Sequence, residues 1–565
     1  MAERTRRVGA VLVAGCALLV GCAQIPTAGP VVAGDLVQQP ERPPYVPVVV
    51  PPPQAGADQE GIVDGFIKAM TSYDPGYATA KMFLTPDAAA AWDPSAVITV
   101  HAGVAPSIDV IDEGHARITF PVAGTVGPDG SFLAAEPGRT EEIVFEMVQV
   151  DGEWRIANPP EGVVMSEFNF SREFEAHNLY FFDPSYSVLV PDPVYIPKNG
   201  QPTTFLAQAL LRGPSGWLTP AVRTAFPEGT ELSVRGVPVD QGTALVELTA
   251  QASQAPPDRR ELMAAQLAWT LSEIPEVSGV DVTSDGIPLY GDATARPIGG
   301  FAEFDPDVLP ADAPLMALED TGVVEVQGDD TVPVVGPFGS MPGLREIAVN
   351  VGGNRAVAVD PSGTQLLVAT FGENDVVETL ATGTDLESPA WDRTGLVWAI
   401  DQTGNDSNLL VVRPDGERVD VDAPGLEGRR IDRLAVSLDG TRIVVVVNGL
   451  AHVGLIVRSA DGSGGIQVES LRRIGPDVAT LDVAWDSPAS VALLLRSTDE
   501  APEPYVVGLS GAINAQRGKV PGAASLAGAP GQPLVVTTTD GVLMSQQSAA
   551  QWGEIATGRA ATYGG

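Results

Sequence analysis

Few side chains in this sequence have the type and spacing that covalent chemistry needs. The cysteines are Cys16 and Cys22, two in 565 residues, which excludes a disulfide framework and a cysteine-based zinc ribbon. The four histidines, His101, His115, His177 and His452, are dispersed, with no H-x-x-x-H or H-E-x-x-H spacing to hold zinc. His101 and His115 flank an expected hairpin and could meet in space, although edge or surface positions account for them more simply. Gly508-Leu509-Ser510-Gly511 is the nearest approach to a G-x-S-x-G nucleophile elbow and fails at its last position. Neither a Walker loop nor a G-x-G-x-x-G turn is present. Asp305/Asp307 and Asp329/Asp330 could suggest calcium, but neither pair sits in an EF-hand loop, and a solvated face explains both. Among 72 acidic residues many carboxylate pairs arise by accident, so a glycosidase pair has no distinguishing signature. The expectation is no catalytic residue, no metal site and no cofactor.

One nucleophile does have a context. Arg4, Arg6 and Arg7 precede an apolar or small run from Val8 to Val20, thirteen residues long. As helix it would span roughly 20 Å, too short to cross a bilayer but right for a signal-peptide core. The run ends in Leu19-Val20-Gly21-Cys22, which resembles the lipobox of bacterial lipoproteins. The resemblance implies cleavage between Gly21 and Cys22, with Cys22 becoming an N-palmitoyl, S-diacylglycerol cysteine. An ordinary signal peptide that happens to contain cysteines is the plainer alternative. Cys16 would leave with the cleaved segment.

Charge sets the next boundary. With 72 acidic against 33 basic side chains the formal net charge is −39, and such a surface repels phosphate backbones and anionic headgroups. Nucleic acid is therefore excluded as a partner. Loss of residues 1–21 removes three arginines and Glu3, leaving 30 basic and 71 acidic groups. No other stretch approaches 18 consecutive apolar residues, so the lipid would be the sole anchor. Pro26 to Pro53 contains nine prolines, a composition that favours extended polyproline II, a semi-rigid spacer of about 3 Å per residue.

Beyond the spacer, composition and periodicity divide the chain into a signal peptide (1–21), a lipidated Pro-rich tether (22–57) and three domains (58–175, 176–300 and 301–565). In the first domain Asp58 is placed to cap a helix whose stripe is Ile62, Phe66, Ala69 and Met70. A second helical stretch, Tyr77 to Trp92, is broken at Thr85-Pro86. Strands are expected at Ala96–Val100, Ala116–Val122, Glu141–Val150 and Glu153–Ala157, the last two joined by an Asp151-Gly152 hairpin turn. Helices backed on such a sheet resemble the NTF2-like fold, with Phe145, Trp92 and Trp154 read as core. In the second domain a helix over Thr203–Arg212 stops at Gly213-Pro214, and Glu231–Val239 and Thr243–Leu248 alternate as a hairpin. Asp258 with Glu261 reads as a capping box for a helix with stripe Met263, Leu267, Leu271 and Ile274, ended by Pro275. The segment Leu210-Leu211-Arg212-Gly213-Pro214-Ser215 resembles the signature of GerMN domains, small α/β interaction modules.

The third domain repeats a cassette of apolar strand, turn and apolar strand. Copies occur at Leu315–Leu318, Ala356–Val359, Pro389–Trp391, Leu434–Val436 and Val483–Trp485, with a weaker one at Ser525–Ala529. Their spacing of about 32 to 47 residues is that of β-propeller blades. Six copies predict about six blades, with five or seven open and a β-sandwich as the plain alternative. Ser437-Leu438-Asp439-Gly440 resembles the TolB-type blade signature. The fold class expected is thus multidomain α+β and all-β: an NTF2-like α+β domain, a GerMN-like α/β domain and a C-terminal β-propeller.

The order of these parts, together with "CAQIPTAGPV" (22–31) and "FLTPDAAAAWDP" (83–94), resembles the LpqB family of actinobacterial lipoproteins over essentially the whole chain. The resemblance implies a lipid-anchored accessory on the extracytoplasmic face of the cell membrane. Its partner would be the extracytoplasmic domain of a sensor histidine kinase, the MtrB of an MtrA–MtrB two-component system affecting cell division and cell-wall homeostasis. The implied role is signalling, not catalysis. An envelope glycan- or lipid-binding lipoprotein, using the NTF2-like cone or the propeller mouth, is the alternative, and a wall hydrolase stands behind both.

Overall fold

The computed structural model describes residues 50–71, 76–103, 105–291, 295–307, 309–310, 313–372, 376–459, 464–496, 500–511 and 514–565. Gly21, Cys22 and most of the Pro-rich segment lie outside the described residues. Pro47–Gly565 forms one compact unit.

Helix α1 (Gln59–Ala69) starts as its sequence dictates: the Asp58 side chain accepts the Gly61 N–H at 2.9 Å, and Ile62, Val63, Phe66 and Ile67 are buried. The next helical stretch is two short pieces, α2 (Ala78–Lys81) and α3 (Pro86–Ala91), because Thr85 leaves the helix to cap the second one through its hydroxyl. They back a curved sheet built on the 12-residue strand β3 (His115–Val126). One edge of β3 pairs with β1 (Ile98–His101) and β2 (Ser107–Asp112), the other with β4 (Phe132–Ala134) and β5 (Thr140–Val150). β6 (Glu153–Ile156) turns back on β5 through Asp151 and Gly152, both at positive φ (55° and 84°), and β7 (Val163–Ser166) runs parallel to β1. The cone is filled by its own side chains: Phe66 lies 5.5 Å from Trp92 and 6.2 Å from Phe145, ring to ring, and Tyr77 6.0 Å from Trp92. Phe145 and Trp92 are core, as read from sequence, with Trp154 packed against them half-buried.

A helix, α4 (Glu167–Glu173), and a long hairpin of β8 (Phe174–Phe182) and β9 (Leu189–Pro197) lead into the second domain. There β11 (Thr243–Leu248) pairs parallel with β12 (Gly279–Ser284), the connection being helix α6 (Pro257–Leu271), while α5 (Pro202–Arg212) packs on the same core. Met263, Leu267, Leu271 and Ile274 are buried as the stripe predicts. Three expectations need correction. Asp258 and Glu261 form no capping box: Pro257 occupies the first turn, Pro256 stands at the N-cap without a side-chain bond, and Glu261 pairs with Arg296 at 2.7 Å. That helix also ends at Leu271, before Pro275. Of Glu231–Val239 only the end pairs as a strand, β10 (Val239–Asp240), beyond an isolated bridge at Leu232; the ladder is interrupted between the Ser233 N–H bond to Glu247 and the Pro238 carbonyl bond from Leu245, where the Val237 N–H turns to the Thr204 hydroxyl.

The third domain is a six-bladed propeller. Its inner strands are Ile347–Val349, Leu386–Trp391, Ile431–Val436, Ala479–Ser487, Ala523–Ala527 and Arg559–Thr562. The last of these closes the ring by pairing with Leu315–Glu319 from the start of the domain. The number of cassettes matches the blades, yet their phase shifts. Copies at Leu315 and Ala356 sit on the second and third strands of their blades, whereas the later four sit on the first and second. The turns are built alike: Asp392 accepts N–H bonds from Thr394 and Leu396, and Gly395 takes φ 85°, a conformation that suits glycine.

Candidate functional site

The polar groups of the propeller face two places, the axial channel and the joint with the other domains. The channel, about 370 Å³, is ringed by the inner strands and carries Arg345, Glu346, Arg433, Asp482 and Arg559. Each of the last four reaches along or across blades rather than toward a common point. Glu346 accepts the Ser388 N–H of the next blade at 2.6 Å, and Asp482 accepts the Leu526 N–H of the next at 2.8 Å. Arg559 donates to the Leu344 carbonyl at 2.6 Å, and Arg433 lies 3.6 Å from Asp482. The cassette tryptophans do the same work: Trp391 donates to the Ala348 carbonyl and Trp485 to the Ala435 carbonyl of preceding blades. Burial drives Asp482 up to about 6, against the Arg433 charge and the two N–H bonds that lower it. The ring of charges therefore clamps neighbouring blades.

The joint gathers the two signature motifs. Asp439 of Ser437-Leu438-Asp439-Gly440 is buried and paired with the fully buried Arg442. Burial opposes its charge, but Arg442 and the bonds from Thr441 and Ser437 win and hold its carboxyl below the ordinary range. Arg442 also lies 5.4 Å over the Trp485 ring and donates to the Pro191 carbonyl of β9 at 3.2 Å. The next residue, Asp192, accepts the N–H of Ser215 at 2.6 Å and its hydroxyl at 2.9 Å; Ser215 ends the Leu210–Ser215 motif. Asp192 is driven up to about 6 by burial, opposed by the Ser215 bonds and the Arg442 charge and reinforced by Asp129. Trp217 donates to the Ser470 carbonyl of the propeller at 2.8 Å, and Gly216 donates to Asp129 of the first domain at 3.2 Å. Propeller residue Leu455 completes the hydrophobic core of the second domain. Three domains that read as separate segments are one interlocked body.

Sequence-derived candidates for other chemistry do not converge. His115 is exposed and 2.9 Å from Asp112, whereas His101 is buried against Phe120 and stands opposite Val122, seven positions along β3 from His115. His101 is thus not a surface histidine: it lies on the inner face of a strand that enters the core. His177 is buried near Glu175 and Glu273, and His452 bonds the Leu450 carbonyl. Asp307 donates its N–H to Asp305, and Asp329 and Asp330 lie at the turn into the strand Asp330–Pro333. Among the described residues no cluster of three His, Cys, Asp or Glu side chains is placed to hold a metal ion. Among them, too, no helix is long and apolar enough to cross a membrane. Sequence reasoning missed Asp192 and Arg442; an isolated Pro-Asp-Pro in a strand was the available signal for the first.

Fold and joint define a class: a three-module protein, propeller-ended, whose buried polar residues fasten module to module. Comparison with known proteins agrees with this division. The model of the LpqB lipoprotein N-terminal domain matches residues 52–171, that of sporulation and spore germination matches 178–290, and that of the LpqB β-propeller domain matches 321–562. The chain belongs to the LpqB lipoprotein family. It is 30% identical to Lipoprotein LpqB of Streptomyces avermitilis over 98% of this chain and 97% of that one. To the proteins of the same name in Thermobifida fusca and Mycobacterium bovis it is 28% identical, covering 100% and 98% of this chain and 100% and 97% of theirs. Among solved structures, TolB from Acinetobacter baumannii aligns with 52% of this chain and 84% of its own at TM-score 0.35 and 11% identity. The tandem GerMN domains of GerM from Bacillus subtilis align with 27% of this chain and 58% of their own at TM-score 0.19 and 14% identity. The matched models describe no enzyme family.

Proposed function

We propose that the protein is a lipid-anchored accessory on the extracytoplasmic face of the cell membrane. Its folded body binds and modulates the extracytoplasmic domain of an MtrB-like sensor histidine kinase, and it performs no catalysis of its own. The observation that carries this reading is the use of its polar side chains. In the joint Arg442, set by Asp439, reaches Pro191, Trp217 reaches Ser470 and Gly216 reaches Asp129, and in the channel Glu346, Asp482 and Arg559 reach the next blade, so that one module or blade is held to another. A rigid body of that kind presents a fixed surface to a partner, which lowers the ordering cost of binding. The lipobox-like run ending at Cys22, and membership of a lipoprotein family, support the anchor. The first test is direct binding of the full-length protein in nanodiscs to the purified sensor domain of the kinase by biolayer interferometry. Saturable binding is expected, and its absence across the micromolar range refutes the partner. For the anchor, Cys22→Ala is expected to abolish labelling by a palmitate analogue; a labelled variant refutes lipidation at Cys22.

A further inference from the structure

Where the three domains meet they enclose a second cavity, also about 370 Å³, within the roughly 300–1,000 Å³ range of small-molecule sites. Part of its lining is apolar, with Leu471, Val507 and Leu509 from the propeller and the exposed Leu133 of the first domain. Two cations of one strand, Arg472 and Arg473, line it in a chain of net charge −39. Among the described residues the Arg472 guanidinium has no hydrogen-bond or ion-pair partner; it lies 4.9 Å over the Trp217 ring, which is itself pinned by its bond to Ser470. Arg473 bonds Asp477 at 2.9 Å, but its Nε is buried and unpaired. Asp192 and Asp129 lie close enough to favour the Arg472 charge, but neither bonds it: Asp192 accepts the Ser215 N–H and hydroxyl, and Asp129 accepts Ser131 and the Gly216 N–H. Glu136 and Glu167 stand exposed at the rim. A half-buried guanidinium stacked on an indole, beside an apolar recess and with no anion bonded to it directly, keeps N–H donors open to a ligand carboxylate.

We propose that this three-domain cleft binds an organic acid, its carboxylate on Arg472 and Arg473 and its apolar body in the recess over Trp217. Burial lowers the proton affinity of Arg472 and outweighs the opposing charges of Asp129 and Asp192, and a carboxylate bonded to the guanidinium would offset that cost further. The site is distinct from the NTF2-like cone and from the propeller channel, and it does not depend on the kinase reading above.

The test uses 1-naphthoate and its neutral isostere 1-naphthamide, titrated calorimetrically into the full-length protein in nanodiscs with empty nanodiscs subtracted. The wild type is expected to bind naphthoate at least tenfold more tightly than the amide. Arg472→Met, which keeps the apolar stem over Trp217, is expected to erase that preference, and Leu509→Trp, which fills the recess, to weaken both probes at least tenfold. Melting curves establish that each variant is folded before titration. Equal affinity for the two probes in the wild type, no saturable binding of naphthoate, or a preference that survives Arg472→Met overturns the proposal.

Discussion

Arg442→Met tests whether the joint is held by its buried charge pair. The side chain is fully buried, its partner Asp439 nearly so, and methionine keeps much of its volume and its contact with Trp485. What is lost is the cation, leaving the Asp439 carboxylate buried with only the Ser437 and Thr441 bonds, and the Pro191 carbonyl without its donor. Breaking a buried pair from one side costs about 3–5 kcal/mol, because the surviving charge is stranded. For a propeller of this size each kcal/mol moves the midpoint by roughly 2–3 °C, so a fall of about 6–15 °C is expected in calorimetry. Two controls isolate the cause. Arg442→Met combined with Asp439→Asn should recover at least half of the loss, since no charge remains to be stranded. The exposed pair Lys68–Asp64, 2.6 Å apart, should cost under about 0.5 kcal/mol when Lys68 is replaced by Met. Lowering the pH should also narrow the gap between wild type and Arg442→Met as the orphaned carboxylate takes up a proton. A midpoint unchanged within 1 °C, or a double variant as unstable as the summed singles, refutes the reasoning.

Asp192 has a folded pKa raised to about 6, so the native state holds a proton that the unfolded chain has already released. Stability contributed by this group is present below the unfolded carboxylate range and falls as pH rises through 6; the fall between pH 5 and pH 7 is about 1 kcal/mol. Urea titrations at the two pH values should show Asp192→Asn flattening that slope, and Asp482, shifted the same way, giving a second step of the same sign. Gly162 takes φ 69° and an added Cβ would lie 1.9 Å from the Val97 carbonyl, so Gly162→Ala should lower stability by at least about 2 kcal/mol, read by thermal unfolding. Removal of Arg559–Gly565 deletes the inner strand of one blade and should yield an aggregating protein by size-exclusion chromatography.

The local architecture was legible because its signals are local. Asp58, the Ile62–Met70 stripe, the Asp151-Gly152 turn and the Asp-x-x-Gly cassettes each specify structure within a few residues, and these elements form where the sequence puts them. The cassette phase was not legible, because the inner strand Ile347–Val349 is only three residues long and carries no cassette of its own. Strand β9 was hidden by Pro191, Pro193 and Pro197, which read as strand breakers; it tolerates them in a two-stranded ribbon, where one edge needs no ladder N–H. The joint was visible only by halves. Ser215 and Asp439 stand out as motif residues, but nothing local says that Ser215 bonds a residue 23 positions upstream or that Arg442 reaches 251 positions back to Pro191.

The strand Arg559–Thr562 completes a ring whose first strand, Leu315–Glu319, lies roughly 240 residues earlier. Drawing those ends together costs about 5 kcal/mol of chain entropy before any pairing repays it, which makes closure a late and slow event. Until then Leu315–Glu319, with Ala317 and Leu318 destined for full burial, offers an unpaired edge to any neighbouring strand. The seam thus sets a window of vulnerability during folding, and its length is governed by how soon the final strand arrives.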